Sequence, residues 1–485
     1  LLFNSFTFLI FFPVVATIFF VLPHRWRWAW LLAASCYFYM AFIPVYILIL
    51  FFTIAIDYAA GLLIENAEGK ARKMWLVMSI FANVGVLAVF KYFNFLTANA
   101  NAIAEVFHWP YEFPILGIIL PIGLSFHTFQ AMSYTIEVYR GRQPAEKNLG
   151  IYALYVMFFP QLVAGPIERP QNLIHQFYEE HFVEYERITN GLRKMAMGLF
   201  MKVVIADRLA RYVNVIYNDP TSFQGLSLVV ATVFFAFQIY CDFAGYSLVA
   251  IGTAEVMGFR LMKNFDRPYL SKSISEFWSR WHISLSSWFR DYVYIPLGGN
   301  RVAKPRWYYN LAITFLLSGL WHGANWTFVI WGGLNGFYLI FSLLTKDLRD
   351  GFNRMTRLSS HPRFHAALSV LITFSLTCVA WVFFRAHTLT DAMHVLSEAV
   401  SRPTLHQVVP DAVRAEGISK FEVLYCFLLI TGLMTFEWIS TKVNVVRQFR
   451  LQPVWVRWPV YYATCMAIWL LGISTEAKAF IYFQF

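Results

Sequence analysis

An all-α fold made of many membrane-crossing helices is what the sequence predicts, on three observations. Of the 485 residues 58% are hydrophobic and only 14% charged, against about 25% charge in an ordinary soluble protein. Apolar runs of about 17–25 residues, the length that spans a hydrocarbon core, recur from residue 5 to residue 475. Pro13, Pro44, Pro121 and Pro160 interrupt those runs. They predict kinked or broken helices, which a bilayer tolerates only where protein or a water-filled cavity satisfies the freed backbone groups. A soluble enzyme, a disordered tail and a singly anchored protein are excluded. The expectation is one domain over residues 1–485 with about 10–12 spans, some tilted, double or re-entrant.

The first apolar stretch, residues 5–22, has no basic residue ahead of it and no small-residue cleavage site behind it, so it reads as a membrane helix rather than a signal peptide. Further spans are expected near 74–96, 115–134, 150–166, 195–217, 227–257, 308–345, 364–384, 421–440 and 458–475. Arg25 and Arg27, then Lys70, Arg72 and Lys73, then Arg140, Arg142 and Lys147 follow alternate spans, whereas the turns around 43–45 and 97–114 carry no Lys or Arg. The positive-inside rule then puts the N-terminus outside and the basic loops in the cytoplasm.

The formal net charge of +11 sits in these short loops. That is the pattern of a chain facing anionic lipid or an anionic substrate, not of a nucleic-acid binder. Cys36, Cys241, Cys378, Cys426 and Cys465 lie far apart with no C-x-x-C, so neither a disulfide framework nor a metal site is read. No internal repeat is found, which weighs against a transporter built of duplicated halves.

One stretch departs from the short loops. Residues 260–306 hold nine Lys or Arg against three acids, a local balance of +6, with aromatics throughout, which predicts an interfacial segment on the cytoplasmic side. Within it Ser273, Ile274, Ser275 and Glu276 form a capping box that starts a helix near Ile274. Along that helix Trp278, His282, Leu285, Phe289 and Tyr292 share the apolar face, and Arg280, Ser284, Ser287 and Asp291 the other. His282 is therefore buried: either a packing histidine satisfied by a carbonyl, or a group lining a cavity. The turn Ile295 to Asn300 follows, and then the basic residues Arg301, Lys304 and Arg306.

His322 is the second candidate. It lies in a run from Leu311 to Ile340 that contains no acidic or basic residue, and an ionisable group placed there is a functional-site hypothesis because burying it is costly. Gly319 and Gly323, then Gly332 and Gly336, are four apart, a spacing that permits close helix approach. Asn325 is near enough in sequence to orient the imidazole. Asp57, Asp242 and Glu437 in apolar runs are either functional or paired with Lys and Arg. His361 and His365 have helical spacing, but Pro362 between them argues against a metal pair. Leu389 to Val400 reads as an amphipathic helix. With no Walker loop, nucleophile elbow or zinc motif present, a histidine general base acting on a hydroxyl is the simplest chemistry available.

At these residues the sequence resembles the membrane-bound O-acyltransferase (MBOAT) family, in its bacterial alginate and polysaccharide O-acetyltransferase branch. The matching blocks are 120–141 (LPIGLSFHTFQAMSYTIEVYRG), 159–170 (FPQLVAGPIERP), 237–248 (FQIYCDFAGYSL), 263–299 with WHISL and the Pro-Leu-Gly-Gly turn, 317–336 with GLWHGA, and the ending FIYFQF at 480–485. The resemblance implies tilted helices around a central tunnel, with His322 as catalytic histidine and His282 as second motif histidine. It implies a bacterial inner-membrane protein with no permanently bound cofactor, taking acetyl from a cytoplasmic thioester such as acetyl-CoA. It also implies a periplasmic SGNH hydrolase-like acetyltransferase partner and a secreted polysaccharide acceptor: alginate, cellulose, peptidoglycan or another glycan. Arg301, Lys304 and Arg306 are the expected donor-binding residues, since a basic turn suits a phosphate-bearing donor. Two competing readings are a flippase or transporter for a lipid-linked sugar, which would not need both histidines, and a non-catalytic scaffold of an export complex, which survives substitution of both.

Overall fold

A computed structural model describes residues 1–117, 121, 123–163, 165–401 and 408–472. The described residues are helices and their connections, with no strand among them. Among the described residues six helices are long and apolar enough to cross a bilayer: Pro44–Asn66, Gly69–Val106, Leu226–Met257, Trp326–Leu344, Pro362–Arg385 and Lys420–Ser440. The other expected spans are shorter or more polar helices, among them Phe6–Val21, His24–Met40, Leu124–Tyr139, Lys304–His322 and Val454–Leu471. Large apolar side chains such as Phe6, Phe81, Phe421 and Trp469 point outward, the reverse of a soluble protein and what lipid contact requires. The ending FIYFQF, the last residues of the 458–475 span, and residues 118–120 and 122 of the 115–134 span lie outside the described residues.

The chain forms two compact units. The first comprises residues 1–197 with 246–263. Its core is aromatic, with Phe38 against Phe159 at 5.7 Å and Tyr134 against Tyr152 at 4.4 Å between ring centroids. The expected 150–166 span is instead the nine-residue helix Leu149–Met157 followed by Phe159–Leu162, both wrapped by protein. Of the four prolines read as kinks, Pro13 alone sits inside a helix. Pro44 and Pro160 open new helices, where the missing N–H costs nothing.

The second unit comprises residues 198–245 with the described residues from 264 onward. Its centre is a set of fully buried indoles, Trp281, Trp331 and Trp381, with Trp381 5.0 Å from Trp281 and 5.9 Å from Trp331. The expected 308–345 span is an antiparallel hairpin, Lys304–His322 and Trp326–Leu344. Gly319 and Gly332 set its closeness. A Cβ on Gly319 would lie 2.3 Å from the Phe328 carbonyl, and one on Gly332 would lie 2.3 Å from that of Phe315. The four-residue glycine spacing thus does what small residues do between membrane helices. Leu389–Ser401 is the expected amphipathic helix, with Ala392 and Val395 buried. It begins with a reciprocal cap in which Thr388 and Asp391 each accept the other's backbone N–H, at 3.1 Å both ways.

Candidate active site

The segment before the hairpin is built from its cap upward. Ser273 Oγ accepts the Glu276 backbone N–H at 3.1 Å, as the capping box predicts, and Glu276 reaches back to the N–H of Lys272 rather than that of Ser273. The helix does not run on to Tyr292. It ends at Arg280, and a second helix starts at Ile283. Between them His282 adopts the left-handed conformation, φ 43° and ψ 55°, which a residue with a Cβ enters only against strain. Burial of His282 is as the periodicity predicted, but the single continuous face is not. Ser284, expected on the polar side, is fully buried because the break rotates it inward.

Asn264 holds that break. Its carbonyl accepts the Ile283 N–H at 2.8 Å. Its side-chain oxygen meets the Ser284 N–H at 3.3 Å, the Ser284 hydroxyl at 3.0 Å and His282 Nδ1 at 3.1 Å. The His282 ring lies edge-on to Phe243 at 4.5 Å and, also edge-on, 6.3 Å from Trp321.

His322 closes the Lys304–His322 helix and is 3% exposed. Its ring meets three aromatic rings edge-on: Trp331 at 4.8 Å, Trp321 at 4.9 Å and Phe384 at 5.4 Å. Trp321 contacts both histidines, so two side chains 40 positions apart in sequence share one aromatic wall. Asn325 does not orient His322, because the helix ends between them. It caps the next helix by accepting the Thr327 N–H at 3.0 Å and donates to the His387 carbonyl at 3.1 Å.

Arg301, Lys304 and Arg306 are exposed at the opposite end of the same helix, with the Arg306 guanidinium 4.8 Å from the centre of the Tyr309 ring. Lys304 and His322 are separated by about 27 Å at the α-helical rise. The basic turn is therefore gathered as predicted but touches neither histidine. Beside the broken helix a cavity of about 310 Å³ is lined by Trp278, Ser279, Ser286, Arg290, Thr314 and Phe315, among others. Its wall mixes hydroxyls with aromatic and aliphatic faces.

The intramembrane acids resolve in three ways. Asp57 accepts from Ser79 Oγ at 2.6 Å and from Asn83 Nδ2 at 2.9 Å, with neutral donors rather than a cation. Asp242 pairs with Lys202, which also binds Asp207. Glu437 accepts from the Tyr240 hydroxyl. Asn264 and the partners of His322 on Trp331 and Phe384 were not legible as site residues. Only a side chain that folds back across 18 positions could have flagged Asn264, and no periodicity records that.

Residues 145–384 match the membrane-bound O-acyltransferase family. The chain is 40% identical over 441 residues to the probable alginate O-acetylase AlgI of Azotobacter vinelandii, covering 89% of this chain and 85% of that one. It is 36% identical to the peptidoglycan O-acetyltransferase of Helicobacter pylori, over 76% of this chain and 73% of the relative. At 26% identity it also resembles the teichoic acid D-alanyltransferase of Bacillus subtilis, over 57% of this chain and 73% of the relative. With helices that cross a membrane, a buried histidine pair on one aromatic wall and identity at this level over most of its length, the chain belongs to the membrane-bound O-acyltransferase family and is an acyltransferase.

Proposed function

We propose that this acyltransferase O-acetylates a secreted polysaccharide, alginate-like by its likeness to the Azotobacter relative, from a thioester donor on the cytoplasmic side of a bacterial inner membrane. One observation carries this furthest. The 19-residue helix Lys304–His322 has the basic turn of Arg301, Lys304 and Arg306 at one end and His322 at the other. Donor phosphates are attracted at the charged end, and the acyl group is delivered to the buried one. The cavity along Trp278, Ser286 and Thr314 offers hydroxyls and apolar walls to the amide-bearing arm that must bridge the two.

In the proposed step the acceptor hydroxyl gives its proton to the His322 imidazole as its oxygen bonds to the thioester carbonyl carbon. The carbon–sulfur bond then breaks, and the imidazolium returns the proton to the departing thiolate. No resident cofactor takes part. The acceptor in this step is either the sugar hydroxyl itself or a hydroxyl of a periplasmic SGNH hydrolase-like partner that then passes the acetyl on to the polymer.

The test is the ester-bound acetyl on surface polymer with and without this chain. Deletion removes the acetyl while polymer export continues. Blocked export would instead favour the flippase.

Orientation is checked separately. In a cysteine-free background, cysteine at Lys304 resists a membrane-impermeant thiol reagent on intact cells, and cysteine at Glu112, exposed in a loop without Lys or Arg, reacts. The reverse pattern moves the donor to the other side.

Neutralising Arg301, Lys304 and Arg306 to glutamine raises KM for acetyl-CoA by about tenfold at low salt, the scale that a few exposed charge contacts supply. The penalty shrinks at 1 M salt, where the screening length falls to about 3 Å. An unchanged KM, read from initial rates over a donor titration, removes these residues from donor binding and leaves them to topology.

A further inference from the structure

The Asn264 clamp decides which nitrogen of His282 carries the proton. An asparagine amide presents an oxygen on one side and an NH₂ on the other, and these are distinguished by their partners. The backbone N–H of Ser284 can only donate, and it points at the same amide atom as the Ser284 hydroxyl and His282 Nδ1. That atom is therefore the oxygen. The single hydroxyl proton of Ser284 is directed at it from 3.0 Å, the shorter of the hydroxyl's two contacts, the other being His282 Nδ1 at 3.4 Å. An unprotonated Nδ1 at 3.1 Å would set lone pair against lone pair, in a place where His282, Asn264 and Ser284 are each no more than 1% exposed. Hydrogen on Nδ1 removes that repulsion.

The same three bonds, with the Ile283 N–H on the Asn264 carbonyl, hold His282 in its left-handed conformation. Backbone strain of this kind persists only where the surroundings enforce it, and it concentrates at working sites.

We propose that Asn264 is a positioning residue of the acyltransferase site: it locks His282 as the Nδ1–H tautomer, so that Nε2 meets the reacting groups as a hydrogen-bond acceptor. His282 then recognises an O–H, N–H or S–H of acceptor or donor and cannot donate to a carbonyl oxygen while neutral. The assignment of a role in turnover rests on the active-site reading above, whereas the tautomer itself does not.

The experiment uses the full chain in lipid, with histidine labelled by ¹⁵N and the His282 signals identified by their loss in His282→Gln. The expected spectrum has Nδ1 of the protonated, pyrrole-like type and Nε2 of the unprotonated, pyridine-like type. Asn264→Asp keeps an acceptor on the same stem, so it preserves both that pattern and acetyl transfer to within a few-fold. Asn264→Ala releases the ring to mixed tautomers and lowers kcat by about 10–100-fold, the range for removing the partner that orients a working histidine. A pyridine-like Nδ1 in the parent protein overturns the proposal even if the alanine variant fails to fold. So does an unaltered His282 spectrum in Asn264→Ala. If the spectra follow expectation but His282→Gln transfers acetyl at the parent rate, the clamp stands and the placing of His282 in the active site falls instead.

Discussion

Alanine at His322 leaves a membrane-inserted protein that has lost acetyl transfer by at least about a hundredfold. A sugar hydroxyl is a weak nucleophile at neutral pH, and an imidazole, with an ordinary pKa near 6.5, removes its proton without being wholly charged beforehand. A positioned base of this kind is typically worth 10²–10⁴ in rate, about 3–5 kcal/mol of barrier. The rings of Trp321, Trp331 and Phe384 fix the imidazole at the end of its helix. Positioning is thus provided by packing rather than by a loop. A histidine that only filled this cage would act differently: its removal would lower thermal stability and leave turnover per folded molecule nearly unchanged. His322→Gln, which keeps more of the volume, separates the two. The check is to purify both variants, compare melting temperature and donor affinity with the parent, and measure transfer. Activity within a few-fold of the parent in either variant takes His322 out of the mechanism and puts the scaffold reading ahead.

What the sequence disclosed and what it hid follow from range. The capping box at Ser273, the amphipathic Leu389–Ser401 helix and the glycine seam of the hairpin are local patterns of period or spacing, and each appears where expected, whereas apolar length alone misplaced the 150–166 span, which is two short helices wrapped by protein. His322 was legible for a similar reason: a lone ionisable group in an apolar run is conspicuous in one dimension. The break at His282 was not legible, because its helical periodicity is sound on both sides and only Asn264, 18 positions earlier, overrides it through bonds to three consecutive residues. Asn325 misled in the opposite way. Three positions from His322 it lay on the same face of a helix that does not exist, since the chain turns at Gly323 and Asn325 begins the next helix. Charge pairing inside the bilayer was equally hidden. Asp242 and Lys202 are 40 residues apart, and nothing in either neighbourhood announces the other.

Methionine at Lys202 is expected to destabilise the protein by about 3–5 kcal/mol, the cost of breaking a buried ion pair from one side. Lys202 lies in a π-helical stretch, Phe200–Ala206, that carries straight into the helix Asp207–Asn218. Its ammonium is 2.9 Å from Asp207 Oδ1 and 2.5 Å from Asp242 Oδ1, with all three side chains 4% exposed. Gly245, three residues beyond Asp242, brings the helices together: a Cβ there would lie 2.7 Å from the Gly198 carbonyl and 3.2 Å from the Lys202 backbone nitrogen. Methionine reproduces the length and most of the volume of lysine, so packing is nearly conserved and what disappears is the cation. Two buried carboxylates are then left close together, and each has lost the cation it was paired with. The triple variant Lys202→Met, Asp207→Asn, Asp242→Asn should therefore recover most of the loss, because amides of the same shape carry no charge to desolvate. Melting of parent, single and triple variants in one detergent measures this directly. A single variant that melts like the parent would mean that the carboxylates are already neutral or reached by water, and a triple variant no better than the single would make the defect one of packing. Transfer per folded molecule should change little in the triple variant, since this cluster supports the helices rather than the chemistry, and that sets it apart from His322.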